Sequence, residues 1–128
     1  MQGNFSVTIE DFAGRHFIKS FHKKYQGKWE MTLLAIVAEL ERIESLLLTD
    51  RAETISDVDG VQIIKTKFRV VGTKESAKTS GNRCIVALDK GKRTVSVLLV
   101  YSKTDLRGKN ETAEWKAIIK EQYKIICS

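Results

Sequence analysis

Apolar residues along this chain recur with two periods, and the change from one period to the other divides it into elements. Phe5, Val7 and Ile9 alternate with Ser6 and Thr8, the pattern of a half-buried strand over 4–11. Asp11 is placed to cap the next segment. Gly14, Phe17, Ile18, Phe21 and Tyr25 then recur at helical spacing, which predicts a helix over 12–26 that Gly27 punctuates. Leu33, Ile36, Val37, Leu40, Ile43 and Leu47 form the stripe of a second helix over 29–48. Two helices joined by a short turn containing glycine make a helical hairpin.

Segment 49–60 is polar and acidic, and Asp57, Asp59 and Gly60 mark a turn. The period then returns to two. Ile64, Phe68 and Val70 lie on one face of a strand over 61–71, and Lys65, Lys67 and Arg69 on the other. A polar loop over 72–81 carries Lys74 and Lys78. Strands over 82–88 and 93–101 flank a hairpin turn around Gly91. The last strand is apolar on both faces (Val95, Val97, Leu99; Leu98, Val100), which places it in the sheet interior. Asn110 can cap a terminal helix over 111–123, with Trp115, Ile118 and Ile119 available for packing.

The expected order is β-α-α-β-β-β-α. It implies an α+β fold in which a small, mostly antiparallel four-stranded sheet carries the helical hairpin on one face. The cationic face is then left for a partner. At 128 residues the chain reads as one domain over 1–128, long enough to bury a core without disulfides or metal.

Composition narrows the function. The longest apolar runs fall far short of the roughly 20 residues that cross a bilayer, and the opening residues show no secretory pattern. Cys84 and Cys127 supply no disulfide framework and no zinc spacing. His16 and His22 stand six residues apart, near opposite faces of the first helix, so they do not converge on a metal. We expect a cytoplasmic protein that uses neither metal nor cofactor and engages no membrane.

Charge adds the functional signal. Residues 1–64 carry 7 lysines and arginines against 10 acidic residues, whereas residues 65–128 carry 15 against 6. Lys65, Lys67 and Arg69 stand at successive same-face positions, roughly 6.5–7 Å apart, close to the phosphate spacing of an extended nucleic-acid strand. Three consecutive like charges repel one another unless a polyanion answers them. Arg83 opens the neighbouring strand and suits bidentate phosphate binding. Further candidates for RNA contact are Lys74 and Lys78 in the loop, Lys90, Lys92 and Arg93 around the turn, Tyr101 as a stacking ring, and Lys103. The chain shows no catalytic triad order, no Gly-rich phosphate loop and no paired carboxylates.

The strand–helix–helix–three-strand order, the basic strand Ile64-Lys65-Thr66-Lys67-Phe68-Arg69 and the following Asn82-Arg83-Cys84-Ile85-Val86 resemble the RelE/ParE superfamily of bacterial toxins. The resemblance spans about residues 4–105. It implies a small cytoplasmic toxin of a type II toxin–antitoxin system, neutralised by a cognate antitoxin that covers the basic sheet or displaces the C-terminal helix. RelE-type members cut mRNA in the ribosome. ParE-type members poison DNA gyrase without cutting nucleic acid. The resemblance assigns the cutting groups to Lys65, Lys67, Arg69 and Arg83, with a weaker counterpart in Lys103. The chain departs from the family pattern in its long 72–81 loop, in Tyr101-Ser102-Lys103-Thr104 after the last strand, and in the helix over 111–123.

The reaction so implied is metal-independent. The RNA 2′-hydroxyl attacks the adjacent phosphorus, the 5′-oxygen leaves, and a 2′,3′-cyclic phosphate forms. Lys65 or Lys67, if desolvated and crowded by like charge so that it is held neutral, would take the hydroxyl proton, and Arg69 and Arg83 would stabilise the charge growing at phosphorus. The alternative is a protein that only binds, docking its basic sheet on gyrase or another acidic partner.

Overall fold

The computed structural model describes residues 4–102 and 110–127. Its sheet has five strands in the order β1-β5-β4-β3-β2: β1 (Ser6–Ile9), β2 (Ala52–Val58), β3 (Val61–Phe68), β4 (Asn82–Asp89) and β5 (Thr94–Ser102). β2 through β5 form an antiparallel meander, while β1 pairs parallel with β5 along Ser6↔Thr94 to Ile9↔Val97. β5 lies inside the sheet, as its two apolar faces require.

Two features correct the expected four-stranded order. The first is β2, in the segment expected to be a loop. Asp59 (φ 55°) and Gly60 (φ 81°) turn the chain tightly into β3, the left-handed pair that a two-residue hairpin demands. The acidic edge strand hides its period because the register shifts between Thr54 and Ser56. That bulge breaks the alternation by which a strand is read. The second feature is the end of β3. Its pairing with β4 stops at Phe68↔Asn82, so Arg69 lies beyond the strand.

The helical hairpin also departs in detail. Its first arm runs through α1 (Asp11–Ala13), a π-helical stretch (Gly14–Ile18) and α2 (Lys19–Lys24). Its second arm breaks at Arg42 (φ −113°, ψ 44°) into α3 (Trp29–Glu41) and α4 (Ile43–Leu46). Phe21, Trp29, Ile36, Leu40, Ile43 and Leu46 pack with Ile64, Phe68, Val86, Val95, Val97 and Val100. Phe21 stacks on Trp29 with ring centroids 4.6 Å apart.

The terminal helix α5 (Glu111–Tyr123) begins where Asn110 Oδ1 accepts the Ala113 N–H at 3.1 Å. It lies on the other sheet face. Trp115 and Ile119, both fully buried, pack with Ile63, Ile85, Leu98, Leu99 and Tyr101. The Tyr123 hydroxyl donates to the Leu98 carbonyl at 2.8 Å. The fold therefore has three layers, and the expectation that the cationic face stands open is corrected. Half of that face is apolar, and α5 removes it from water.

Candidate nucleic-acid interface

Sheet register sets which cations meet. Lys67 stands directly opposite Arg83, and Arg83 opposite Tyr101. One row away, Glu53, Lys65, Ile85 and Leu99 are aligned. Residues opposed across an antiparallel pair share a face. Lys65, Lys67, Arg83 and Tyr101 are therefore brought together on the face that α5 packs against.

Their environments differ sharply. Lys65 Nζ lies 3.3 Å from Glu111 Oε2, with both side chains mostly buried (14% and 21% exposed). The Tyr101 hydroxyl donates to the same oxygen at 2.6 Å. Glu111 sits in the first turn of α5, where a carboxylate also suits the helix dipole. One acidic residue thus holds α5 against the lysine and the tyrosine. It was not singled out from the sequence, although its place one residue after the Asn110 cap marks it as a helix-start acid.

Arg83 is buried (3% exposed). It donates to the Asn82 carbonyl at 2.9 Å, to Ala77 at 3.4 Å and to Lys78 at 3.3 Å. Its guanidinium holds the 72–81 loop. Ser80 helps by donating to the Phe68 carbonyl at 2.6 Å, and Val71 N–H by donating to Thr32 Oγ1 at 2.9 Å. The loop exposes Lys74 and Lys78. Lys78 pairs with Asp50 at 2.6 Å, and this hydrogen-bonded contact holds the Asp50 carboxyl below its usual range. Lys67 is half-buried at this end of the sheet.

The remaining candidates lie elsewhere. Arg69 is exposed and lines a groove on the helical-hairpin side, with Thr32, Ile36 and Glu39. Lys90, Lys92 and Arg93 sit at the β4–β5 turn. A seven-residue rise separates that turn from the Lys67–Arg83 end by roughly 20–25 Å. Arg93 also lies over the Phe5 ring at 4.3 Å. Lys103 lies outside the described residues. Among the described residues, no group of three His, Cys, Asp or Glu side chains could hold a metal ion, and no helix is long and apolar enough to cross a membrane.

Burial also fixes two phenols and one thiol. Cys84 is fully buried, which pushes its thiol up to about 12. Desolvation, with Glu10 nearby, pushes the Tyr123 phenol up to about 12. Burial and then the Glu111 carboxylate raise Tyr101 further still. An unfolded tyrosine ionises near 10, so folding favours both protonated phenols. Their contribution is whole below about pH 10 and falls as the pH rises above it, that of Tyr123 being lost as the pH climbs through about 12 and that of Tyr101 at higher pH still. The melting temperature should therefore fall steeply between pH 10 and 12. The fall should be shallower in Tyr101→Phe, as read by circular dichroism.

No known family's sequence pattern matches the chain, and no curated protein matches it. Among solved structures it is similar to one chain of the archaeal RelE–RelB complex from Pyrococcus horikoshii OT3. The TM-score is 0.56 at 9% identity, over 80% of this chain and 99% of that one. The five-stranded sheet, the helical hairpin on one face and the similarity to that complex together give this chain a RelE-like fold.

Proposed function

We propose that the chain is the toxin of a type II toxin–antitoxin system and cuts mRNA at the ribosome without a metal. One observation carries this reading. Lys67 and Arg83 stand opposed across β3 and β4 on one sheet face. Directly opposed like charges destabilise a sheet, and with the Arg83 guanidinium turned to backbone carbonyls, a phosphate at Lys67 would answer the charge left facing solvent. Lys74 and Lys78 extend the positive field along the loop beside them. Arg83 holds the loop through backbone carbonyls, so in this reading Lys67 is the cation that faces the phosphate. Lys65 becomes available once Glu111 lets go. Substrate orientation is borrowed from the ribosome, which lets the site work with few catalytic groups of its own.

A second reading has its own observation. Lys65 and Tyr101 are engaged by Glu111, and the Arg83 guanidinium by three carbonyls. Such a face suits a toxin that only docks, with DNA gyrase as the acidic-site partner. Both readings share the antitoxin.

Controlled expression in bacterial cells tests the shared part. Growth should arrest within a few generations, and co-expression of a neighbouring frame encoding an acidic helical protein should restore it. Unimpaired growth at high expression would defeat both readings.

A further inference from the structure

The first arm of the helical hairpin and the turn after it carry a run of charge that the candidate site does not use. Arg15, Lys19, Lys23, Lys24 and Lys28 fall between Asp11 and Glu30 with no acidic residue among them. The acidic excess of residues 1–64 as a whole hides this basic run. All five side chains are exposed, and among the described residues none is in a salt bridge. Arg15, Lys19 and Lys23 follow i, i+4, i+8 spacing. An i+4 neighbour stands about one turn on in an α-helix and in a π-helix alike, so the three form a ridge with steps of about 6 Å. Like charges at this spacing weaken a free helix, and a polyanion along the ridge would relieve them.

The ridge is joined to the 72–81 loop. Lys28 lies against Gly72, where a Cβ would stand 3.4 Å from Lys28 Cδ and Cε and 3.5 Å from Nζ. Lys74 is exposed two residues further on. Arg83 anchors the same loop beside Lys67. A cationic track therefore runs from the first arm, through Lys28 and Lys74, to the Lys67–Arg83 end of the sheet.

The chemistry of the ridge selects among polyanions. Every exposed residue from Arg15 to Gln26 is polar, so the arm has nothing to insert into a bilayer. Phe12, Phe17, Phe21 and Tyr25 are buried or half-buried against the core clusters. The ridge thus offers no exposed Phe or Tyr for the base stacking that holds single strands. Contacts to phosphate alone suit a double helix, whose bases are already stacked and whose backbone is a regular row of charge.

We infer that this ridge grips the phosphate backbone of an RNA double helix, the structured RNA beside the cleavage site in the reading above, on which this inference rests. Arg15, Lys19 and Lys23 contact successive phosphates of one strand. Lys28 and Lys74 continue the track toward the mRNA at Lys67. The ridge positions the chain and reads no sequence, so it sets affinity while Lys67 serves the chemistry.

The probe is a fluorescein-labelled 20-base-pair RNA duplex, beside one of its strands alone and a DNA duplex of the same sequence. Fluorescence anisotropy with the full chain, at salt from about 50 to 200 mM, should show the RNA duplex binding tighter than the single strand and no weaker than the DNA duplex. Replacing both Lys19 and Lys23 by alanine should weaken duplex binding about tenfold and lower the slope of log affinity against log salt by about two. Replacing both Lys90 and Lys92 by alanine removes the same charge from the β4–β5 turn and should leave duplex binding within about twofold of wild type. All four lysines are exposed, so circular dichroism should be unchanged in both variants. No duplex binding, or equal losses in the two variants, would overturn the proposal. Binding of the single strand as tight as the RNA duplex, or tighter binding of the DNA duplex, would overturn it in favour of those ligands. The duplex assay involves no cleavage, so its failure sinks the ridge alone, whereas absence of growth arrest in the wild type sinks the toxin reading.

Discussion

Replacing Trp115 by alanine is expected to cost about 3–5 kcal/mol of folding stability, the usual range for removing a buried aromatic side chain. The indole is fully buried between α5 and the sheet, against the apolar cluster that holds Ile63, Ile85, Leu98 and Leu99. Its Nε1 has no hydrogen-bond partner among the described residues, so the loss is one of packing. A domain of this size has roughly 5–15 kcal/mol in total, so the variant should stand near the threshold of folding. Trp115→Phe keeps most of the volume and removes the unsatisfied N–H. It should cost less than about 1.5 kcal/mol. Urea denaturation followed by circular dichroism measures both. Equal, small losses in the two variants would mean that α5 does not hold the sheet. Because α5 also covers Lys65 and Tyr101, undocking it changes the charge that the sheet presents.

Much of this arrangement was legible in the sequence. The basic strand, the 82–88 strand, the interior strand and the helix over 111–123 were each readable from their apolar residues, and the structure has each of them, the basic strand ending at Phe68 rather than at 71. Asn110 caps α5 as its residue type predicts. What escaped has physical causes. β2 lost its signal to a register shift and to exposed acids such as Glu53 and Asp57. The parallel pairing of β1 with β5 is a long-range choice that no local pattern encodes.

The cover over the cationic face was half-written. Ile63 and Ile85 share that face with Lys65 and Lys67, and the outward face of the last strand is apolar as well. Such a surface needs a layer over it, and α5 was the element left to supply one. Arg83 shows a different gap. A strand-opening arginine reads equally as a phosphate ligand or as a loop anchor, and the position of the 72–81 carbonyls decides between them.

That distinction gives the second large effect. Lys67→Ala and Arg83→Ala should both abolish activity, but for separate reasons. Lys67 is half-buried and lies at the open end of the row, so its removal should leave the melting temperature within a few degrees of wild type. A transition-state contact of this kind is worth roughly 2.7–4 kcal/mol, so cleavage should fall by about two to three orders of magnitude. Arg83→Ala strips three carbonyls of a donor, the Asn82 carbonyl in a buried setting and the Ala77 and Lys78 carbonyls in a part-buried one. Unmade buried hydrogen bonds cost roughly 1–3 kcal/mol each, so this variant should melt lower and lose order in the 72–81 loop. Its activity should fall together with its stability. Matching melting temperatures for the two variants would contradict the assignment of Arg83 as the loop anchor.

The most direct test of the nuclease assignment is primer extension on an mRNA under translation, with purified ribosomes and the chain in a metal-chelated buffer. Wild type should make discrete cuts that end in 2′,3′-cyclic phosphates, and none on the same mRNA without ribosomes. Cleavage should be at least a hundredfold slower with Lys67→Ala. Intact mRNA with wild type, or equal cutting by Lys67→Ala, would contradict the assignment.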